Sequence, residues 1–418
     1  MAFWEEINAL DKKGLLSSDD HNVSYSTGIT ILDYANGFWS EVKDKKTGEI
    51  VSVPNLGIPG GSLMSIIASP GCGKSTMAFQ IGYNIIKDFE DGMLFLIDCE
   101  KTSVKQRLIN IVDADYDDPR IRIVKNHTSI DDVLESFKMI CDTKKAGGHK
   151  YMYKVEDKSY GGEPFWQYVP TIYIIDSLPS FNSNSYNVED LGNQIDQMKA
   201  SKDISRFYTN VLDRAWEFNV IFIVINHIRA ATITNPYARP PRGLMMINPD
   251  TENLPRGSVA QYYSSIYFRI NSKKSEAYTL KDDGFTGYKC EVQIAKSKTN
   301  IVGTSFPVCF NSERGFDPIY SHYEFANSLG LIIGRQPYLS LKGFEERRFS
   351  RKEFNNLWIK DKSFREGFMK VLEPYYMSLL SEKKSIHKPE ALSDDEVESL
   401  VELDEEIEQP KEETEEED

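Results

Sequence analysis

The chain has 418 residues, of which 40% are hydrophobic and 27% are charged, and its net charge is −15 at pH 7. This composition is typical of a globular protein and excludes a membrane-spanning one, because no apolar run approaches the roughly 20 residues that a transmembrane helix needs. The N-terminal residues lack the pattern of a secretory signal, and the five cysteines are scattered without a C-x-x-C pair. We therefore expect a cytoplasmic protein without a disulfide framework, a zinc site or a membrane partner.

The negative charge is concentrated at the C-terminus. Residues 389–418 contain sixteen acidic residues and one lysine, which together equal the net charge of the whole chain and leave residues 1–388 balanced. This composition predicts a disordered acidic tail, because a segment with so few apolar groups cannot bury enough surface to fold. An alternative role for the tail is to mimic nucleic acid and compete for a basic surface of the same protein.

Strands and helices alternate along most of the chain. A short amphipathic helix is predicted within residues 1–13, ahead of a loop-rich stretch. The predicted strands are 62–69, 92–100, 120–126, 171–177, 220–227, 263–271, 288–296 and 304–310, and the predicted helices are 74–87, 103–112, 129–144 and 190–217. Residues 144–170 are predicted to form an insertion or a hairpin, and residues 325–388 to be helical. Such alternation predicts an α/β fold whose mainly parallel, twisted sheet is flanked by helices.

The first core strand is followed by a phosphate-binding sequence. Residues 68–75 read A-S-P-G-C-G-K-S and match the pattern G-x-x-x-x-G-K-[ST], except that Ala68 occupies the first glycine position. In this pattern the backbone N–H groups and the positive end of the following helix bind phosphate, the lysine reaches the β- and γ-phosphates, and the hydroxyl binds Mg²⁺. The predicted nucleotide-binding residues are Ser69, Pro70, Gly71, Cys72, Gly73, Lys74, Ser75 and Thr76, with Ser75 as the Mg²⁺ ligand.

Three other strands end in polar residues that suit the same site. Asp176 ends an apolar strand, where a carboxylate holds Mg²⁺ through water, so ATP and Mg²⁺ are the predicted cofactors. Glu100 follows a second strand and is predicted to orient or deprotonate the attacking water, with Asp98 as its rival on the same strand. His227 ends a third strand, from which a polar side chain can contact the γ-phosphate.

Two polar loops leave the same edge of the predicted sheet and indicate contacts with nucleic acid. They span about residues 178–200 and 229–258, and the second is long for a compact domain, which favours a functional role. Its arginines are interleaved with apolar and aromatic groups, a combination that binds the phosphates and base faces of single strands. The predicted DNA-binding residues from these loops and the adjoining helix are Lys199, Lys202, Arg206, Arg229, Arg239, Arg242 and Arg256.

Taken in order, the motifs resemble those of the RecA-type recombinases, and most closely the bacteriophage strand-exchange recombinases of the UvsX type. The resemblance rests on A-S-P-G-C-G-K-S, M-L-F-L-I-D-C-E, T-I-Y-I-I-D-S, I-N-H-I-R and V-Q-I-A-K-S-K-T-N, and it covers about residues 25–375. It implies that Glu100 activates water and that His227 senses the γ-phosphate. It also implies that Lys296 and Lys298 reach the ATP of a neighbouring subunit.

The resemblance also assigns residues at the periphery of the site and a domain organisation. Arg107 falls near the position of the aromatic residue that stacks on adenine in relatives, and its guanidinium plane can stack instead. Arg256 and Gly257 stand where relatives close the second DNA loop with two glycines. The implied domains are an N-terminal oligomerisation segment (1–45), a RecA-like ATPase core (46–335), a C-terminal helical region (336–388) and the acidic tail (389–418).

The function implied by the resemblance is ATP-dependent homologous recombination. We expect a DNA-dependent ATPase that forms helical filaments on single-stranded DNA, searches double-stranded DNA for homology and exchanges strands in recombination, repair and recombination-dependent replication. A mediator or loader protein and a single-strand-binding protein are further expected partners. Two alternatives stay open: a hexameric DnaB-type replicative helicase, whose usual arginine finger is not evident here, and a RecA-like ATP-dependent switch acting on protein partners.

Overall fold

The computed structural model of the chain describes residues 23–43, 47–156, 164–182, 194–230, 252–255, 257–272, 279–280, 285–300, 302–311 and 313–380. The predicted helix within residues 1–13, the acidic tail 389–418 and most of the two predicted DNA-binding loops lie outside these ranges.

The strands and helices of these ranges follow one another closely along the chain. The strands are β1 (Ser24–Tyr25), β2 (Phe38–Lys43), β3 (Ile50–Asn55), β4 (Ile58–Pro59), β5 (Leu63–Ala68), β6 (Met93–Asp98), β7 (Ile121–Val124), β8 (Met152–Val155), β9 (Phe165–Tyr168), β10 (Thr171–Asp176), β11 (Val220–His227), β12 (Arg229–Ala230), β13 (Glu252–Asn253), β14 (Ile266–Ser272), β15 (Thr279–Leu280), β16 (Phe285–Ser297), β17 (Ser305–Asn311), β18 (Gly315–Asp317), β19 (Ile332–Arg335), β20 (Tyr338–Leu341) and β21 (Phe344–Phe349). The helices are α1 (Thr30–Asn36), α2 (Lys74–Ile86), α3 (Lys105–Val112), α4 (Ile130–Gly147), α5 (Gln194–Glu217), α6 (Gly257–Tyr263), α7 (Pro318–Ser328), α8 (Phe354–Lys360) and α9 (Lys362–Met377). Among the described residues, no helix combines the length and the apolar character that crossing a membrane requires.

Nine strands form one mixed sheet in the order β18-β17-β16-β14-β5-β11-β10-β6-β7, and β15 pairs with β16 outside this path. The six strands from β14 to β7 are parallel to one another. In contrast, β16, β17 and β18 are added antiparallel at one edge. The predicted α/β class with a largely parallel sheet flanked by helices is therefore confirmed.

Helices cover both faces of this sheet, and successive side chains of each central strand pack alternately against the helices of one face and of the other. In β10, Ile172 and Ile174 belong to the apolar cluster that contains α2, whereas Tyr173 and Ile175 belong to the cluster that contains α4 and α5. All six residues of β10 are buried. A strand buried on both faces appears in the sequence as a continuous apolar run, which is why these strands were predictable.

At the amino-terminal ends of the parallel strands, a buried lysine connects two of them. Lys144 of α4 donates hydrogen bonds from Nζ to the carbonyl oxygens of Val169 (2.7 Å) and Phe218 (2.8 Å), which lie just before β10 and β11. Its side chain is 5% exposed. Burial lowers the pKa of Lys144 from 10.5 to about 7, because the charged ammonium loses its hydration.

Residues 144–170 complete α4 and then form a β-hairpin, in agreement with one of the two predicted alternatives. Strands β8 and β9 pair antiparallel. The hydroxyl of Tyr153 on β8 lies 2.8 Å from that of Tyr25, and its ring centroid lies 4.8 Å from that of Phe89. The hairpin is therefore packed against β1 and the segment that follows α2.

The prediction of a helical segment over residues 325–388 is wrong for residues 332–349. These residues form a three-stranded antiparallel sheet, β19-β20-β21, ahead of α8 and α9. In β21, only Phe349 is fully buried and the four central residues are exposed, so F-E-E-R-R-F has no alternation of apolar and polar residues to mark a strand. Phe349 instead packs on Phe354 and Phe368, which attaches α8 and α9 to the sheet.

The buried amine of Lys144 predicts a measurable dependence of stability on pH. Between about pH 7 and pH 10 the unfolded chain binds a proton at this lysine that the folded chain does not. The free energy of unfolding of the native chain should therefore rise across this window, relative to Lys144→Met, by up to about 1.4 kcal/mol per pH unit. Urea unfolding at pH 7, 8 and 9 measures the difference. The matched control is Lys145→Met at the exposed neighbouring lysine, and a constant difference between Lys144→Met and the native chain would contradict the assignment.

Candidate functional site

The loop between β5 and α2 has a backbone that only glycine accommodates at two positions. Gly71 and Gly73 have φ values of +74° and +80°, and a Cβ at Gly73 would lie 2.9 Å from the ring of Phe310. Helix α2 begins directly after Gly73. The N–H groups at the start of the helix consequently face the loop, where they can bind an anion.

The lysine of the phosphate-binding sequence is folded back onto this loop. Lys74 is 5% exposed, and its Nζ donates to the carbonyl oxygens of Ala68 (3.1 Å) and Ser69 (2.9 Å). Its side chain therefore lies along the inner side of the loop, where a bound phosphate would replace the carbonyl oxygens as its partner.

The parallel register brings three further polar residues to the same edge. Asp176 is paired with Asp98 across β10 and β6, and His227 with Ala68 across β11 and β5. Glu100 follows two residues after β6. Its Oε1 accepts a hydrogen bond from Ser177 Oγ at 2.5 Å and lies 3.0 Å from His227 Nε2.

Burial and neighbouring charges shift the pKa values of Asp176 and His227. The pKa of Asp176 is raised to about 6, mainly by burial; the charges of Glu100 and Asp98 raise it further, and a hydrogen bond from Ser75 opposes the rise. The pKa of His227 is lowered, mainly by burial and also by the positive charge of Lys74, although Glu100 acts in the opposite direction. The site thus concentrates negative charge close to a hydroxyl and a lysine, which suits a hard divalent cation bound through oxygen atoms.

The structure places Glu100 and Asp98 in different surroundings, whereas the alternation of side chains along a strand could not distinguish them. Asp98 is fully buried and accepts hydrogen bonds from the backbone N–H groups of Thr102 (3.2 Å) and Ser103 (2.9 Å). It also lies 3.7 Å from Lys125 Nζ. Asp98 therefore holds the turn after β6, and only Glu100 reaches the cavity.

A cavity of about 470 Å³ opens beside the loop and joins most of the predicted site residues. Its walls are formed by Gly71, Gly73, Lys74, Ser75, Thr76, Glu100, Thr102, Ser103, Val104, Arg107, Leu108, Asp176, His227, Tyr288 and Phe310. Six of these residues were not predicted: Thr102, Ser103, Val104 and Leu108 after β6, and the two rings of Tyr288 and Phe310. The two rings stack at 4.8 Å between ring centroids, and the Tyr288 hydroxyl donates to the carbonyl oxygen of Gly71 at 3.2 Å. No local sequence signal identifies them, because the antiparallel edge of the sheet brings them to the loop.

The ends of the second predicted DNA-binding loop are fixed next to His227. Strands β12 and β13 pair with each other, so residues 231–251, which lie outside the described residues, begin and end at neighbouring points. Asn226 donates a hydrogen bond to the carbonyl oxygen of Pro255 (2.8 Å) and accepts one from the backbone N–H of His227 (2.8 Å). Arg269 forms two hydrogen bonds of 2.7–2.8 Å with the carboxylate of Glu252.

The remaining predicted DNA-binding residues lie apart from the cavity or outside the described residues. Lys202 and Arg206 are exposed on α5, and Arg229 is exposed on β12. Gly257 begins α6, and Lys199 lies on α5, but the position of the Lys199 side chain is outside the description. Arg239, Arg242 and Arg256 lie outside the described residues.

The two lysines expected to serve a neighbouring subunit do not line the cavity of their own chain. Lys296 Nζ donates to the carbonyl oxygens of Gln261 (2.6 Å) and Tyr262 (2.9 Å) in the last turn of α6, and Lys298 is exposed. Lys296 lies eight residues along β16 from Tyr288, or about 26 Å at the rise of a strand. This distance is several times the length of a lysine side chain.

Comparison with protein-family models finds no match for the chain, and comparison with curated proteins finds no similar sequence.

The distinct positions of Asp98 and Glu100 predict that substitutions at the two residues lower the stability of the fold to different extents. Asp98→Asn should lower the free energy of unfolding by about 2 kcal/mol, because one amide oxygen cannot replace a carboxylate that accepts two backbone hydrogen bonds. Glu100→Gln should change it by less than about 0.5 kcal/mol, because that side chain is partly exposed and keeps an acceptor oxygen. Urea unfolding followed by tryptophan fluorescence measures both variants, and equal destabilisation would show that the two roles are misassigned.

Proposed function

We propose that the chain is an ATP-dependent homologous recombinase with a RecA-like ATPase core, which forms helical filaments on single-stranded DNA and exchanges strands with double-stranded DNA. The observation that carries the proposal is the position of His227: its ring contacts Glu100, and the next residues anchor the segment predicted to hold DNA. In this proposal, the end of β11 belongs both to the nucleotide site, through His227, and to the base of the segment that binds DNA.

Nucleotide binding follows from the loop and the walls of the cavity. The N–H groups around Gly71 and Gly73 hold the phosphates, and Lys74 exchanges its carbonyl partners for phosphate oxygens. Ser75 and Asp176 would hold Mg²⁺, which neutralises charge on the phosphates. Arg107, Tyr288 and Phe310 line the same cavity and supply flat groups for the base.

Hydrolysis requires a group that orients water, and Glu100 is the residue best held for this purpose. Ser177 and His227 fix its carboxylate from two sides, so the carboxylate is pre-oriented before the substrate arrives. Loss of the terminal phosphate changes the partners available to His227. Because Asn226 joins His227 to Pro255, the change is passed to the ends of residues 231–251.

Filament formation explains the two lysines far from the cavity. Lys296 and Lys298 do not line the cavity of their own chain, and Lys296 lies about 26 Å along β16 from the cavity wall at Tyr288, so we assign both to the nucleotide of the next subunit. Each ATP then lies between two copies of the chain, and nucleotide state controls assembly as well as the hold on DNA. A mediator or loader protein and a single-strand-binding protein are the partners that such an assembly would use.

The alternatives differ in what the ATP site controls. A hexameric DnaB-type helicase would place the same lysines at the interfaces of a closed ring. A RecA-like switch would use residues 231–251 to contact a protein partner, and its nucleotide state would not affect DNA.

The proposal predicts that nucleotide state sets the affinity for single-stranded DNA. Binding of a labelled oligonucleotide, followed by fluorescence anisotropy, should be about 5–150-fold tighter with ATP than with ADP, the range of typical coupling between two sites. Lys74→Ala should lose both ATP hydrolysis and this difference, whereas Lys87→Ala, at the exposed far end of α2, should keep both. Equal affinity with ATP, ADP and no nucleotide would refute the proposal.

Electron microscopy of the same samples distinguishes the three candidate functions. Helical filaments with ATP and single-stranded DNA support the recombinase, closed rings support the helicase, and unassembled particles support the switch.

The contact made by Asn226 predicts a variant that separates hydrolysis from DNA binding. Asn226→Ala removes both the bond to Pro255 and the acceptor for the N–H of His227, but it leaves the cavity walls intact. ATP hydrolysis should persist, while the ratio of DNA affinities with ATP and ADP should fall toward about 1. The control is Asn356→Ala on the exposed side of α8. If Asn226→Ala retains the full ratio, the hydrogen bond to Pro255 does not transmit the nucleotide state.

A further inference from the structure

We propose that Glu100, Asp176 and His227 form a binding site for a borderline-soft divalent cation of the Zn²⁺ class when no nucleotide is bound. The carboxylate and imidazole ligand atoms of these three residues lie within 4.8 Å of one another. Asp176 and His227 are the last residues of two parallel strands, and Glu100 lies two residues after a third, so the three side chains are brought together by the register of the sheet.

The distances are close to those that one ion requires. Zinc binds imidazole nitrogen and carboxylate oxygen at about 2.0–2.2 Å, so the ligands of a single ion lie about 3–3.5 Å apart. His227 Nε2 and Glu100 Oε1 already meet this distance at 3.0 Å. The Asp176 carboxylate is the third ligand and has to approach the other two by about 1 Å to bind the same ion. A rotation of the Asp176 or the Glu100 side chain can provide this shift.

The chemistry of the ligands selects the class of cation. Mg²⁺ prefers oxygen ligands only, whereas an imidazole nitrogen with two carboxylates suits Zn²⁺ and its neighbours in the first transition row. Three protein ligands leave a further position open, the arrangement found in zinc sites that keep a bound water. The site therefore differs in kind from the Mg²⁺ position assigned to Ser75 and Asp176.

The surroundings support the three ligands. Asp176 is 5% exposed, and the side chains of His227 and Glu100 are 19% and 32% exposed toward the cavity. A cation can thus enter from the cavity and meet a buried carboxylate. Ser177 donates a hydrogen bond to Glu100, the type of outer contact that orients a carboxylate ligand.

The test is a calorimetric titration of the full-length chain with Zn²⁺, without Mg²⁺, nucleotide or DNA. One site should be saturated first, and His227→Ala should weaken it by about 10–100-fold. His127→Ala, whose ring is 82% exposed, should bind as the native chain does. The sixteen acidic residues of the tail provide weaker sites that all three proteins share.

Three additional measurements test whether a loss of binding in His227→Ala reflects the missing ligand and not a disturbed fold. Glu100→Gln preserves the size of the side chain and should also weaken the first site, and circular dichroism of each variant checks its fold. Bound Co²⁺ should show a visible absorption band in the native chain that is lost in His227→Ala. Coincident titration curves for the native chain and a folded His227→Ala overturn the proposal. Since neither nucleotide nor DNA is present, such a result leaves the proposed recombinase function untouched.

Discussion

The parallel pairing of β6, β10, β11 and β5 is the constraint on which the candidate site depends. Parallel strands in register end at the same edge, so side chains that are far apart in the sequence meet there. Asp176 and Asp98 become direct neighbours, and the repulsion between their buried charges is offset by backbone N–H groups at Asp98 and by the hydroxyl of Ser75 at Asp176. A bound cation would complete this charge balance.

The two ends of the parallel strands differ in character. At the amino-terminal ends, Lys144 joins β10 and β11 through hydrogen bonds to two carbonyl oxygens, and burial lowers the pKa of its amine. At the carboxyl edge, the strands end in an open cavity with ionisable groups that contact one another. Lys144 thus joins the starts of β10 and β11, while the last side chains of the same two strands, Asp176 and His227, line the cavity.

The sequence specifies the parts of this site that depend on local patterns. The glycines around Lys74 and the polar residues at the ends of apolar strands were predictable from short stretches of sequence. A tight loop requires glycine, and a strand buried on both faces requires a continuous apolar run. Tyr288 and Phe310 were not predictable, since they reach the loop through strand order, which is a non-local property. The sequence pattern could not distinguish Asp98 from Glu100, because β6 ends at Asp98 and the alternation that would relate the two residues ends with it. The strands at residues 332–349 were missed because charged residues fill the exposed centre of β21.

The short pair formed by β12 and β13 has an evolutionary consequence. Arg229 lies opposite Asn253 in a separate two-stranded sheet, so the segment between β12 and β13 starts and ends at adjacent residues. Whatever stands between these two points can be lengthened, shortened or replaced with little effect on the hydrogen bonds of the main sheet. The fold thus offers a point at which related chains can differ in the length and sequence of one segment while the main sheet is kept.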